Sequence, residues 1–104
     1  PGWEPSDLEL ARSRFAEAVQ EDPEFALAHA WLSMAYNYEY LYYDRTEARL
    51  AQAREAAEEA LRLSPALPEG YLARAFYHFQ RYENDEPRRP WRWRRGGFRG
   101  RGIS

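Results

Sequence analysis

The chain has 104 residues, no cysteine and 44% hydrophobic residues. That is enough for one compact unit whose stability rests on packing, since neither disulfides nor thiolate metal sites can contribute. A formal charge of −2 conceals a division: residues 1–86 hold all 17 acidic side chains and 8 of the 15 arginines, a net of −9, whereas residues 87–104 hold 7 arginines and no acid. An acidic body disfavours nucleic acid, no apolar run approaches the roughly 20 residues needed to span a bilayer, and Pro1-Gly2-Trp3-Glu4 lacks the basic-then-apolar opening of a signal peptide. The expectation is a chain without a membrane segment, placed in the cytoplasm by default. With Met34 as its only methionine, it is expected to be a fragment or a processed product.

From Ser6 onward Leu8, Ala11, Phe15, Ala18 and Val19 recur at spacings of three and four, which predicts a first helix with one buried face. Ser6 with Glu9 gives a capping-box pattern at its start, and Asp22-Pro23 ends it. The same dipeptide predicts the start of a second helix, Asp as cap and Pro at the first helical position, running to about Tyr43. Residues 36–43 alternate tyrosine with other residues and alone read as a strand of period two. With no partner strand in the chain such a strand could not satisfy its edges, so the helical reading is preferred. Asp44 with Glu47 predicts the cap of a third, alanine-rich helix ending near Leu63. Ser64-Pro65-Ala66-Leu67-Pro68 is a turn whose second proline opens a fourth helix, from about Glu69 to Arg81 or Tyr82. Four helices joined by short turns predict antiparallel neighbours.

Two of these segments repeat one another. Ala11, Phe15, Ala18 and Pro23 share their spacing with Ala53, Ala57, Ala60 and Pro65, and nine residues after each proline come Leu32-Ser33 with Tyr36, or Arg74-Ala75 with His78. Small residues let two helices approach while Leu32, Tyr36 and Phe15 fill the space between them. Over residues 8–82 the pattern resembles the tetratricopeptide repeat. That resemblance implies an all-α fold: antiparallel helix pairs of a right-handed solenoid, with about four helices present. It departs from the family in three ways. Pro23 and Pro65 are 42 residues apart against the usual repeat of about 34; the eight additional residues are expected in the tyrosine-rich end of helix two and the turn around Asp44-Arg45-Thr46. Arg74 and His78 stand where an apolar and an aromatic residue are expected. Both ends of the array look cut. Ala26-Leu27-Ala28-His29-Ala30 and Asp44-Arg45-Thr46 are also similar to repeats attached to bacterial signalling kinases and cyclases.

The resemblance implies a non-catalytic, protein-binding scaffold in which first helices line a concave groove for a partner helix or peptide. Leu27, Ala30, Met34, Asn37 and Tyr38 on helix two and Leu72, Phe76 and Phe79 on helix four fall on that face, giving an apolar, aromatic surface suited to a few buried anchors. Uncapped repeat ends make self-association a further expectation. Some family members grip a C-terminal carboxylate partly through lysine; this chain has no lysine, so that clamp is not carried over. His29 and His78 have no acidic companions at metal-binding spacing and read as packing residues. The pairs Glu58-Glu59 and Asp85-Glu86 read as solvated helix faces, and no phosphate loop or nucleophile motif accompanies them. No enzyme, metal or cofactor is expected.

Residues 1–86 therefore form the expected repeat fragment, and residues 87–104 a disordered basic tail. Arg88, Arg89, Trp91, Arg92, Trp93, Arg94, Arg95, Phe98, Arg99 and Arg101 interleave cations with aromatic rings among glycines, resembling RGG-type RNA-binding segments in which arginine holds phosphates and rings stack on bases. This is the alternative function: a nucleic-acid adaptor acting through the tail. A third reading makes the tail a shifted reading frame, since Trp91–Arg95 read one base earlier, with CGG arginine codons, spell an aliphatic residue or Met followed by Ala-Val-Ala-Ala.

Overall fold

The computed structural model describes residue 2 and residues 4–85, with the side chain of Asp85 excepted. It contains four helices: α1 Pro5–Glu21, α2 Ala26–Tyr42, α3 Glu47–Leu63 and α4 Pro68–Asp85. No strand occurs among the described residues, and the tyrosine-rich run up to Tyr42 is helical. The all-α, repeat-like architecture expected from the sequence is thus present.

The helix ends differ from expectation in instructive ways. The box at the start of α1 is formed by Glu4 and Asp7, with Glu4 N donating to Asp7 Oδ2 at 3.0 Å, and Ser6 and Glu9 do not form it. Pro5 explains the shift, because a proline in the first turn forfeits no intrahelical donor and allows the helix to start earlier. Asp22 does not cap α2. Its carboxylate accepts from Glu24 N at 3.2 Å and its carbonyl from Phe25 N at 3.0 Å, which closes a turn and delays the helix to Ala26. Thr46, not Asp44, caps α3, accepting from Arg49 N at 3.1 Å, while Asp44 accepts from Arg49 Nε at 3.2 Å.

The 42-residue offset is a property of the backbone as well as of the sequence. Asp22 ends α1 at φ −140°, ψ 88° and Ser64 ends α3 at φ −143°, ψ 88°. Their N–H groups donate to Ala18 O and Ala60 O, both at 2.9 Å, and their carbonyls accept from Phe25 N and Leu67 N, both at 3.0 Å. His29 Nε2 lies 2.9 Å from Pro23 O, and Tyr71 Oη donates to Pro65 O at 2.7 Å. Since a carbonyl can only accept, Nε2 carries the His29 proton. Two different residue types, 42 positions apart, thus tie the start of α2 and of α4 to the preceding turn in the same manner.

The additional length does not lie in the turn at Asp44. That turn, residues 43–46, is as short as residues 22–25 and 64–67, and the 42-residue period consists of two 17-residue helices and two four-residue turns. Each helix is thus extended by about one turn of 3.6 residues relative to a repeat of about 34.

Helix α2 is central and packs against α1, α3 and α4, and α4 also rests on α3. Sequential helices run antiparallel: Arg12 meets Glu39 while Phe15, further along α1, meets Trp31, which is earlier on α2, and Arg81 near the end of α4 meets Glu47 at the start of α3. Tyr40, Leu50 and Tyr77 form the large-residue core, and Ala53, Ala57, Ala60 and Ala73 are fully buried where helices come closest. At one such approach Ser33 Oγ donates to Ala53 O at 2.6 Å. At another, a Cβ on Gly70 would lie 2.6 Å from Leu61 Cδ2. Burial of Leu50 alone is worth about 1.5–3 kcal/mol.

Candidate functional site: an apolar groove between α2 and α4

Because α2 and α4 each follow an antiparallel helix, they run side by side in the same direction and present a shared face. Met34, Tyr38, Leu72, Ala75, Phe76 and Phe79 line an open cavity of about 430 Å³ there. Tyr38 and Phe76 meet edge to face, ring centroids 5.1 Å apart at 77°, and Tyr38 stacks on Tyr42 at 6.3 Å. Such pairs add about 0.5–1.5 kcal/mol beyond area burial and hold the rings in place. Five of the eight residues expected on the concave face are brought together in this way, and Ala75 joins them.

Three are not. Ala30 and Asn37 are fully buried, and Leu27 is half-buried and outside the cavity lining. The reason is α4, which covers the flank of α2 on which Ala30 and Asn37 lie. Asn37 is the centre of a buried polar network: its Nδ2 donates to Ser33 O at 3.0 Å and to Ala73 O at 3.4 Å, and Gln80 Nε2 donates to its Oδ1 at 2.6 Å. The amide therefore joins α2 to α4 and is unavailable to a partner. Gln80 Oε1 has no partner in this network and is buried.

A second polar cluster lies at the other flank. Glu39, 7% exposed, accepts from Arg12 Nε at 2.8 Å and has Arg49 Nη1 at 3.7 Å; Arg49 also lies over the Tyr36 ring at 5.6 Å. The hydrogen bond from Arg12 to Glu39 raises the pKa of the Arg12 guanidinium. Both cationic partners come from neighbouring helices, so Glu39 fastens α1 and α3 to α2, a structural task rather than a chemical one.

His29 is buried against the Pro23 carbonyl, as a packing residue should be, whereas His78 is exposed on α4 beside the Tyr77 ring. Glu58 and Glu59 pair with Arg54 and Arg62 on the outer face of α3. Among the described residues no group of three potential metal ligands converges, and no helix is long and apolar enough to cross a membrane. Asp7, Leu8, Ala11, Phe15, Trp31, Met34, Ala35 and Tyr38 line a second apolar recess of about 300 Å³ between α1 and α2, with Phe15 and Trp31 rings 5.6 Å apart. Sequence reasoning assigned Phe15 to helix packing and passed over Trp31, which is 40% exposed on α2; no spacing pattern sets Trp31 apart in the sequence. The proposed nucleic-acid residues, Arg88 through Arg101, lie outside the described residues, as does Glu86. Comparison with protein-family models, with curated proteins and with solved structures finds no match to this chain.

Proposed function

We propose that the chain is a non-catalytic scaffold of the tetratricopeptide type that holds a partner helix or extended peptide in the α2–α4 groove. The supporting observation is the row Met34, Tyr38 and Phe76, apolar side chains held at fixed geometry on adjacent parallel helices and partly open to solvent. An amphipathic segment with two or three apolar anchors at helical spacing suits such a surface. The test is selection of helical and extended peptides from a displayed library on the full chain. Binders should lose on the order of 30-fold in affinity, about 2 kcal/mol, on Tyr38→Ala or Phe76→Ala, with the far-ultraviolet spectrum unchanged. Binders insensitive to both substitutions would refute the groove.

The sequence of the tail supports a second reading, since seven arginines interleaved with aromatic residues and no acid suit a single-stranded nucleic acid. Tail-dependent binding that falls steeply between low and moderate salt would favour it; no binding at moderate salt would remove it.

A further inference from the structure

The 42-residue equivalence assigns each helix a type and shows which sides of it are meant to be covered. Helix α2 is of the first type and is seated in the notch made by α3 and α4. His29, Leu32 and Tyr36 face the α3 side with Gln52, Glu55, Ala56 and Glu59, and Ala30, Ser33 and Asn37 lie under α4 or at the α3–α4 junction. Helix α4 is also of the first type. The equivalents of those residues are Tyr71, Arg74 and His78, and Leu72, Ala75 and Phe79; all but the half-buried Arg74 are exposed.

At the other end of the molecule the notch between α1 and α2 is the equivalent of that between α3 and α4. It is open and apolar, and Leu8, Ala11, Phe15 and Trp31 line it together with Met34 and Tyr38, which it shares with the α2–α4 groove. Among the described residues there are therefore one first-type helix with two exposed flanks and one apolar notch in the place where a first-type helix would seat. They lie on opposite sides of α2, so α4 cannot reach the notch of its own chain.

We infer that a second copy of this chain is the occupant: α4 of one copy seats in the α1–α2 notch of the next, head to tail, continuing across the boundary the packing that α2 makes on α3 and α4. This goes beyond the groove reading and rests on the repeat geometry alone. Mapped through the 42-residue offset, the Ser33–Ala53 approach becomes Ala75 against Ala11, two small side chains that permit the same closeness. The Tyr36–Arg49 contact, 5.6 Å from ring to guanidinium, becomes His78 against Asp7, an imidazole facing a carboxylate. Gln52 becomes Leu10, which is 55% exposed on α1 and gains an apolar neighbour in Tyr71. Stacking covers Leu72 and Phe79 and also reaches Tyr38, which lines the notch as well as the α2–α4 groove and whose equivalent Gln80 is buried under α2. The contact uses different patches on the two copies, so it does not end at a two-fold dimer but extends into a row or a ring of several copies.

The chain has no cysteine, which gives a direct test on the full 104-residue protein. Ala11→Cys and Ala75→Cys chains are prepared separately, mixed and oxidised in a mild thiol buffer. The mixed disulfide should exceed each homodisulfide by on the order of tenfold, because only that pair brings Cα atoms within about 4.4–6.8 Å. In sedimentation velocity the unmodified chain should grow with concentration beyond the mass of a dimer. Ala75→Arg and Ala11→Arg should each abolish growth, with Trp31→Arg replacing the latter if circular dichroism shows it unfolded. An equimolar mixture of the two blocked chains should recover a one-to-one dimer and stop there. A chain that stays monomeric up to several hundred micromolar, a dimer that never extends, or preferential Ala75–Ala75 coupling would each overturn the inference. Rapid intramolecular coupling of Ala75→Cys to Trp93→Cys in one chain would overturn it too, by assigning residues 86–104 to the α4 flank.

Discussion

Helices α2 and α4 occupy equivalent places in the repeat, yet among the described residues one is packed against three helices and the other against two. The difference shows in residues of the same kind. Tyr40 is 2% exposed and its equivalent Tyr82 is 52% exposed; Ala30 is fully buried and its equivalent Leu72 is 61% exposed. The lesson is that a position's role in this architecture is set by whether the next helix is present. A side chain that would fasten two repeats in the interior is a contact surface at the end.

The largest expected effect that sharpens this contrast comes from the tyrosine pair. Tyr40→Ala should lower unfolding stability by about 3–5 kcal/mol, since it empties a core site and removes the ring under Arg45. Tyr82→Ala should change it by less than about 0.5 kcal/mol. Urea denaturation of both variants checks the pair, and comparable losses would break the comparison. Next, Ala30→Leu copies the residue of α4 into α2 and should cost about 1–3 kcal/mol through overpacking under α4, whereas Leu72→Ala should be nearly silent.

Asn37→Ala should cost about 1–3 kcal/mol because it leaves Gln80 Nε2 with a weaker acceptor in a buried place. Hydrogen exchange should show the loss concentrated where α4 meets α2. The smallest effect is electrostatic. Two hydrogen bonds from Arg81, at 2.8 and 3.2 Å, hold the Glu47 carboxyl below its ordinary value. A depressed carboxylate pKa gives stability that is present above the unfolded value of about 4.3 and is lost as pH falls through the folded value. Acid should therefore loosen α4 from α3. Glu47→Gln should flatten that response, and Glu59→Gln, whose partner Arg62 lies on the same helix, should leave the attachment of α4 unchanged.

Much of this was readable from the residues. The four helices and the repeat at Pro23 and Pro65 follow from spacing, because spacing reports the sides of a single helix; the face of Met34, Tyr38, Phe76 and Phe79 comes from what the resemblance to the tetratricopeptide repeat implies. Ala30 and Asn37 were misplaced for the same reason: periodicity places a residue on a face but does not reveal that a third helix will lie over it. The caps at Glu4 and Thr46 were missed because Ser6, Asp44 and Thr46 all have side chains able to cap, and neighbouring Pro5 and Arg49 decide among them. The Glu39 cluster draws its arginines from positions 27 residues before and 10 residues after it, a relation no local pattern displays. The notch at Trp31 became visible only once the two helix pairs could be superposed by their numbering.

The matched backbone at Asp22 and Ser64 has a consequence for how such a chain can change length. Both residues leave their helices at nearly the same dihedral angles and hand the chain to turns with the same hydrogen bonds. Excising residues 23–64 would join Asp22 to Pro65 across a junction whose geometry already exists on either side, with α4 delivered onto α1 as α2 now is. Duplicating the same stretch would insert a helix pair equally smoothly. A gene encoding this segment can thus gain or lose 42 codons without a seam in the protein, whereas loss of a single helix with its turn would leave the next helix running the wrong way.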